Sequence, residues 1–224
     1  MTYYVNDIFC SIQGEGPRVG HPAVFIRMSG CNLSCSFCDT DHRCFTEYSE
    51  ADLVAAVLER TKDFGGGMDC VITGGEPLLQ LKPQLVDSLH MLGFEVTIET
   101  NGSVALMNTP VRRAAIREII VRNLARIVVS PKEDCEFGEY ILANSYCLKV
   151  LFPLPFTERF LTKLARLKNH KNLVLQPITP KTGMTSPEWR ETCRDALAFI
   201  WKRKQEHNEI WRLIPQTHVA MDLY

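Results

Sequence analysis

Short β-branched apolar runs alternate with helical stretches along most of the chain, and this alternation restricts its folds more than any other feature. Strands are expected over 23–28, 70–73, 94–100, 126–129, 147–151 and 173–175, with a late short one over 211–214. Between them, the stretch 50–61 puts Leu53, Val54, Val57 and Leu58 on one helical face, and further helices are expected over 83–92, 157–168 and 186–205. Strands joined by helices pair in parallel through right-handed crossovers. A complete (β/α)8 barrel needs roughly 250 residues. About six βα units in 224 residues suit an α/β fold of one domain over 1–224, a partial, open (β/α)6-type TIM barrel. The segment 106–124 reads as a helical insertion: Pro110 opens a run with Ile116, Ile119, Ile120 and Leu124, interleaved with Arg112, Arg113, Arg117 and Arg122. Its plain reading is an amphipathic helix with a solvated basic face. Docking of an acidic partner is the other use for such a face.

Bulk properties narrow the partners. With 25 basic and 26 acidic residues the net charge is −1, which offers no broad attraction for nucleic acid or an anionic membrane. A small-molecule partner is expected instead. No apolar run approaches the roughly 18 residues of a membrane span. The opening residues 1–7 lack the basic-then-apolar pattern of a secretory signal, so a cytoplasmic location is the expectation. In that reducing compartment nine cysteines are not expected to form disulfides, and those that cluster point to metal binding or catalysis. Cys70 and Cys147 lie inside apolar strand-like runs and read as small hydrophobes.

Only Cys31, Cys35 and Cys38 cluster tightly, in a C-x3-C-x2-C loop. Three thiolates so close repel one another unless a cation holds them. Soft sulfur ligands suit zinc or iron–sulfur chemistry. On spacing alone, Cys31, Cys35, Cys38 and His42 form an equally good closed Cys3His zinc site. A cubane cluster differs, because three cysteines leave its fourth iron without a protein ligand and open to a reactive group. Two features bear on the choice. Phe37 directly precedes the third cysteine, and Gly74-Gly75-Glu76-Pro77 ends a strand one βα unit later. Glycines there are expected to let backbone groups approach a ligand.

Together these features resemble the radical S-adenosylmethionine superfamily. That resemblance implies a 4Fe–4S cluster on Cys31, Cys35 and Cys38, with S-adenosylmethionine chelating the open iron and the Gly-Gly-Glu-Pro turn against its methionine moiety. Along its length the chain is similar to the 7-carboxy-7-deazaguanine synthase family of that superfamily. The matching residues are Ser11-Ile12-Gln13-Gly14-Glu15-Gly16, Phe25-Ile26-Arg27, Gly30-Cys31, Phe37-Cys38-Asp39-Thr40 and Val71-Ile72-Thr73 with the turn. Further on, Ile98-Glu99-Thr100-Asn101-Gly102, Ser130-Pro131-Lys132, Gln176-Pro177-Ile178 and Gln216-Thr217-His218 match in the same order.

The family resemblance implies contraction of 6-carboxy-5,6,7,8-tetrahydropterin to 7-carboxy-7-deazaguanine with loss of ammonia, on the route to queuosine and other 7-deazapurines. A 5′-deoxyadenosyl radical would take hydrogen from the pterin and later recover it. By the same resemblance Phe37, Cys38, Asp39, Gly75, Glu99, Ser130, Pro131, Lys132, Gln176, Pro177 and Ile178 meet adenosylmethionine. Ile12, Gln13, Gly14, Arg27 and Thr73 hold the pterin, as do Gln216, His218 and the Tyr224 carboxylate at the C-terminal end. Arg27 suits a carboxylate chemically, because a guanidinium pairs with it bidentately. Thr40 matches a Mg2+ position, where a hydroxyl, substrate oxygens and water satisfy a hard cation. A one-electron reductant such as flavodoxin or ferredoxin and a homodimer are further family expectations. The tail 219–224 matches no pattern, and His218 alone reads equally as a structural histidine.

Two rivals share parts of this pattern. A glycyl-radical activating enzyme has the same cysteine spacing but acts on a protein backbone, which the Gln13–Gly16 segment, suited to a small enclosed substrate, argues against. A non-catalytic zinc or iron–sulfur module contacting tRNA would need a basic, aromatic stripe that the sequence lacks.

Overall fold

The computed structural model describes residues 2–38, 40–65, 67–132, 136, 138–153, 157–169 and 171–223. Nine strands form one sheet: β1 (Thr2–Ile12), β2 (Pro22–Met28), β3 (Thr46–Ser49), β4 (Asp69–Gly74), β5 (Glu95–Thr100), β6 (Arg126–Val129), β7 (Cys147–Phe152), β8 (Leu173–Pro177) and β9 (Trp211–Leu213). Their order is β3-β1-β2-β4-β5-β6-β7-β8-β9, with β1 antiparallel to β2 and β3 and every later neighbour parallel. The sheet does not close on itself, as expected of a partial barrel. All seven strands expected from sequence form. The antiparallel pair β1 and β3 was not expected, because Thr46-Glu47-Tyr48-Ser49 carries no apolar run and Asn6 and Asp7 interrupt the pattern of β1 at a register shift.

Among the described residues seven α-helices accompany the strands: α1 (Glu50–Thr61), α2 (Pro83–Met91), α3 (Pro110–Val121), α4 (Glu139–Ala143), α5 (Glu158–Leu167), α6 (Pro187–His207) and α7 (Thr217–Ala220). Ser49, Thr109, Thr157 and Ser186 each accept a backbone N–H at a helix start, and Pro83, Pro110 and Pro187 occupy first-turn positions where no N–H is needed. Helix α3 lies within the segment 106–124 read as a helical insertion. It is the crossover that lets β5 and β6 run parallel, and it buries Ala115, Ile116 and Ile119. Its arginines are also engaged within the chain. Arg122 bridges Asp87 and Glu118, Arg117 lies over the Tyr140 ring, and Arg113 donates to the Met107 carbonyl.

Parity along the parallel strands divides the interior in two. Val24, Ile26, Met28, Cys70, Ile72, Val96, Ile98, Ile127, Val129, Leu148, Val150, Leu173 and Leu175 join the main core with residues of the helices. The alternate positions face the other side. Val128, Cys147 and Val174 form a small separate apolar cluster there. Phe25, Arg27, Thr73, Glu99, Lys149, Leu151 and Gln176 share that face and line a cavity. Among the described residues no helix is long and apolar enough to cross a membrane.

A buried ion pair anchors the last strand. Arg203 of α6 and Glu209 are both fully buried, paired at 2.8 Å and 2.5 Å, and Glu209 also accepts from Trp211 Nε1 at 2.8 Å. Truncating Arg203 strands the Glu209 charge. Arg203→Ala should lose about 3–5 kcal/mol in urea unfolding, whereas Arg43→Ala, which breaks an exposed pair with Asp41, should leave the urea midpoint nearly unchanged.

Candidate active site

The cavity has a volume of about 930 Å³ and opens at the C-terminal ends of the parallel strands. The cysteine loop follows β2 and forms one wall. Cys31, Cys35 and Cys38 all line it, with Phe37 and Thr40. The loop's turns are local: Leu33 N–H donates to Cys31 Sγ at 3.4 Å, Cys38 N–H to the Cys35 carbonyl at 3.2 Å, and the Cys38 thiol to the Thr40 carbonyl at 3.5 Å. Burial pushes the Cys31 thiol above its ordinary pKa. Among the described residues no three His, Cys, Asp or Glu side chains stand close enough to hold a metal ion. The three thiols share one wall of the cavity. His42 lines the same cavity, and its carbonyl accepts from Gly30 N–H at 3.0 Å and from the Ser29 hydroxyl.

The Gly-Gly-Glu turn packs directly against this loop. Gly75 N–H donates to the Met28 carbonyl at 3.0 Å, and Glu76 N–H to Gly30 at 2.8 Å. A Cβ on Gly74, whose φ is +124°, would stand 2.1 Å from the Met28 oxygen, and one on Gly75 would stand 2.0 Å from that of Gly30. The glycines are therefore required by close approach of two backbone segments, a different reason from the ligand contact expected from sequence. Gly75 also lines the cavity, so that role is compatible with the first. Glu76 is fully buried, and its carboxyl accepts from Leu78 N at 3.0 Å, Thr100 Oγ1 at 2.7 Å and Asn101 N at 2.8 Å. Burial pushes it up to about 7, while these donors and Lys132 pull it down.

Across the cavity lies a charged group that sequence reading missed. The Lys149 ammonium pairs with Glu15 and, at 3.4 Å, with Glu99. Gln176 Nε2 and Gln216 Nε2 donate to Glu15 Oε1 at 3.1 and 2.9 Å, and Gln13 Nε2 donates to Glu99 Oε1 at 3.1 Å. Burial opposes the Glu15 charge, but Lys149 and these donors outweigh it and hold the carboxyl at about 2. Burial likewise opposes the Lys149 charge, and the two glutamates overcome it, raising the ammonium above the lysine range. The signal in the sequence was a lysine inside the apolar run 147–151, on the same parity as Cys147 and Leu151.

The chain's two ends meet beside this group. Thr217 N–H donates to the Gly14 carbonyl at 2.9 Å, and the Ser11 hydroxyl to Leu223 at 2.9 Å. A Cβ on Gly14 would fall 1.9 Å from His218 Nδ1. The tail that matched no sequence pattern thus straps β9 to β1.

On β1 and β2, Phe9 and Phe25 stand opposite each other with rings stacked at 5.0 Å, and the Arg27 guanidinium lies 5.0 Å over Phe9. Of the residues expected to contact ligands, Ile12, Gln13, Arg27, Thr73, Gly75, Glu99, Ser130, Lys132, Gln176, Ile178, Gln216 and His218 line the cavity. Gly14, Pro131 and Pro177 are not among its lining residues. Asp39 and Tyr224 lie outside the described residues.

The donor set fits the implied groups. Three soft thiols on one wall suit an iron–sulfur cluster with an open iron. Gln176 Oε1 is buried without a hydrogen-bond partner at the cavity wall, which costs ~1–3 kcal/mol unless a ligand donor satisfies it. Adenosylmethionine carries such donors. For Mg2+ the wall offers the Thr40 hydroxyl, while the neighbouring Asp41 carboxylate is held by Arg43 at 2.9 and 3.0 Å.

Comparison with known proteins gives the family. The family model for the Radical SAM superfamily matches residues 25–196. The chain is 31% identical to a 7-carboxy-7-deazaguanine synthase of Bradyrhizobium diazoefficiens, and 32% to one of Burkholderia multivorans, over 100% of both chains in each case. The crystal structure of QueE from Escherichia coli superposes with a TM-score of 0.66 at 27% identity, covering 97% of this chain and 95% of that one.

The Glu15 carboxyl lies below its ordinary 4.5, so its contribution to stability is present above pH 4.5 and is lost as pH falls through about 2. Glu15→Gln should therefore cost about 3 kcal/mol at pH 7. In urea melts across pH, the gap from the unaltered protein should close between 4.5 and 2.

Proposed function

Because the chain belongs to the 7-carboxy-7-deazaguanine synthase family of the Radical SAM superfamily, we propose that it contracts 6-carboxy-5,6,7,8-tetrahydropterin to 7-carboxy-7-deazaguanine with loss of ammonia. One observation carries the reading. A single cavity is lined at once by the three thiols, the glycine turn and Arg27. A cofactor and a carboxylate substrate can therefore meet there without crossing solvent.

Cys31, Cys35 and Cys38 hold the cluster, and Phe37, Cys38, Gly75, Glu99, Ser130, Lys132, Gln176 and Ile178 shape the space for adenosylmethionine; Asp39, Pro131 and Pro177 are further contacts that the family implies. When bound, these groups supply hydrogen-atom abstraction, chemistry beyond any side chain. Arg27 takes the substrate carboxylate bidentately, its guanidinium kept in place by the Phe9 face. Gln13 and Thr73 offer hydrogen bonds along the ring and Glu99 meets adenosylmethionine, with Ile12, Gln216 and His218 on the same cavity wall; Gly14 and the Tyr224 carboxylate are further substrate contacts that the family implies. Lys149 keeps its proton and acts through charge, holding two carboxylates in fixed directions. The stacked Phe9 and Phe25 rings and the strap from β9 to β1 keep water from the reacting carbon. Thr40 holds Mg2+ together with substrate oxygens. A flavodoxin or ferredoxin supplies the electron, and the enzyme works as a cytoplasmic homodimer.

Anaerobically reconstituted protein with reductant and adenosylmethionine should convert the carboxytetrahydropterin to the deazaguanine acid. Zinc in place of iron after anaerobic purification would sink the proposal, and adenosylmethionine cleavage without pterin turnover would redirect it to an activating enzyme. Chelating Mg2+ should slow turnover and its return restore it; indifference to chelation would remove Thr40 from the scheme. Arg27→Ala should retain the cluster spectrum and raise KM for the pterin by roughly 10- to 100-fold, the loss of a charge-assisted pair.

A further inference from the structure

Loops after three neighbouring strands, β2, β4 and β5, are joined by a circuit of hydrogen bonds to which the scheme above gives no role. Asn32 stands directly after Cys31. Its Oδ1 accepts from Asn101 Nδ2 at 3.0 Å, and its Nδ2 donates to Ser103 Oγ at 2.8 Å. Asn101 Oδ1 accepts from Ser103 N at 2.9 Å, and Asn101 N donates to Glu76 Oε2 at 2.8 Å. Glu76 N then donates to the Gly30 carbonyl at 2.8 Å, which returns the circuit to the cysteine loop. Asn101, Ser103 and Glu76 are all buried.

Folding of the loop after β5 does not need the Asn32 bonds. Glu76 already binds Thr100 and Asn101, and Thr100 Oγ1 accepts from Gly102 N at 3.1 Å. What the two Asn32 bonds add is a tie from that buried framework to an irregular loop whose own turns are local. Ligands carried on irregular backbone are placed only as well as that backbone is held.

We propose that Asn32, gripped by Asn101 and Ser103, is a positioning residue that sets where the three ligating thiols stand relative to the wall made by β4 and β5. The inference rests on the reading that Cys31, Cys35 and Cys38 hold the cluster. Hydrogen-atom transfer needs reacting atoms in near-attack contact, where a shift of about 1 Å can cost ~100-fold. A loosened loop should still hold its cluster yet spend adenosylmethionine without forming product.

The substitutions follow from donor and acceptor chemistry. Asn32→Leu keeps the volume and breaks both bonds. Asn101→Asp keeps the acceptor for Ser103 N–H, and the circuit re-forms if the Asn32 amide flips, because the Ser103 hydroxyl serves as donor or acceptor. Reconstituted holoenzymes are compared for iron content, melting temperature, product formed per adenosylmethionine cleaved, and the electron paramagnetic resonance spectrum of the reduced cluster with and without adenosylmethionine.

Asn32→Leu should keep iron content, lower the melting temperature by no more than about a few degrees, lower the coupling ratio roughly 10- to 100-fold, and lose the spectral change that adenosylmethionine causes in the unaltered enzyme. Asn101→Asp should stay within about twofold of the unaltered ratio, since the circuit is restored. Normal coupling in Asn32→Leu would overturn the proposal. So would a loss of iron in proportion to activity, which marks a role in assembly instead, or uncoupling in Asn101→Asp equal to that in Asn32→Leu. An unaltered enzyme that binds no iron–sulfur cluster would defeat the functional reading itself, a separate and visible result.

Discussion

An open barrel has a polar interior to satisfy, and in this protein one buried ammonium organises it. Lys149 on β7 reaches Glu15, which arrives from the turn between β1 and β2, and Glu99 on β5. Glu15 also takes Gln176 of β8 and Gln216 of the tail. Elements from both halves of the sheet and from both ends of the chain thus converge on a single carboxylate. Taking these charges out of water is costly, and pairing plus three glutamine amides offset that cost. Glu15, already accepting three hydrogen bonds, is largely spent on this clasp. Glu99 accepts two and keeps more capacity for a ligand.

The opposite wall is organised by backbone proximity. The turn after β4 lies so close to residues 28–31 that only glycine fits at 74 and 75. The β2–β4 ladder therefore continues past the end of β4 and carries the cysteine loop with it. Glu76 then fastens the turn to the start of the loop after β5. One wall is set by backbone, the other by charge, and Arg27 and the phenylalanine pair stand between them.

Much of this was legible beforehand, for definable reasons. Strands buried on both faces read as unbroken apolar runs, so the seven parallel strands could be found one by one. Capping residues and first-turn prolines marked the helices. The edge strand β3 was illegible because its four residues are half exposed and polar. Helix α3 was visible as a helix, but its place as the crossover between β5 and β6 arises only from their pairing.

Local chemistry is written in the sequence itself: the cysteine spacing, the turn glycines and the order of motifs identified a cluster-bearing radical enzyme family and seventeen of the residues that line its cavity. Contacts between segments far apart in the chain belonged to the tertiary structure alone. Only folding showed that Lys149 sits between Glu15 and Glu99, residues 134 and 50 positions away. Only folding laid the unmatched tail against Ser11, or tied Asn32 to Asn101. A side chain's type and parity are local properties, whereas the partner that neutralises a buried charge is chosen by how the sheet curves and where its open edges meet.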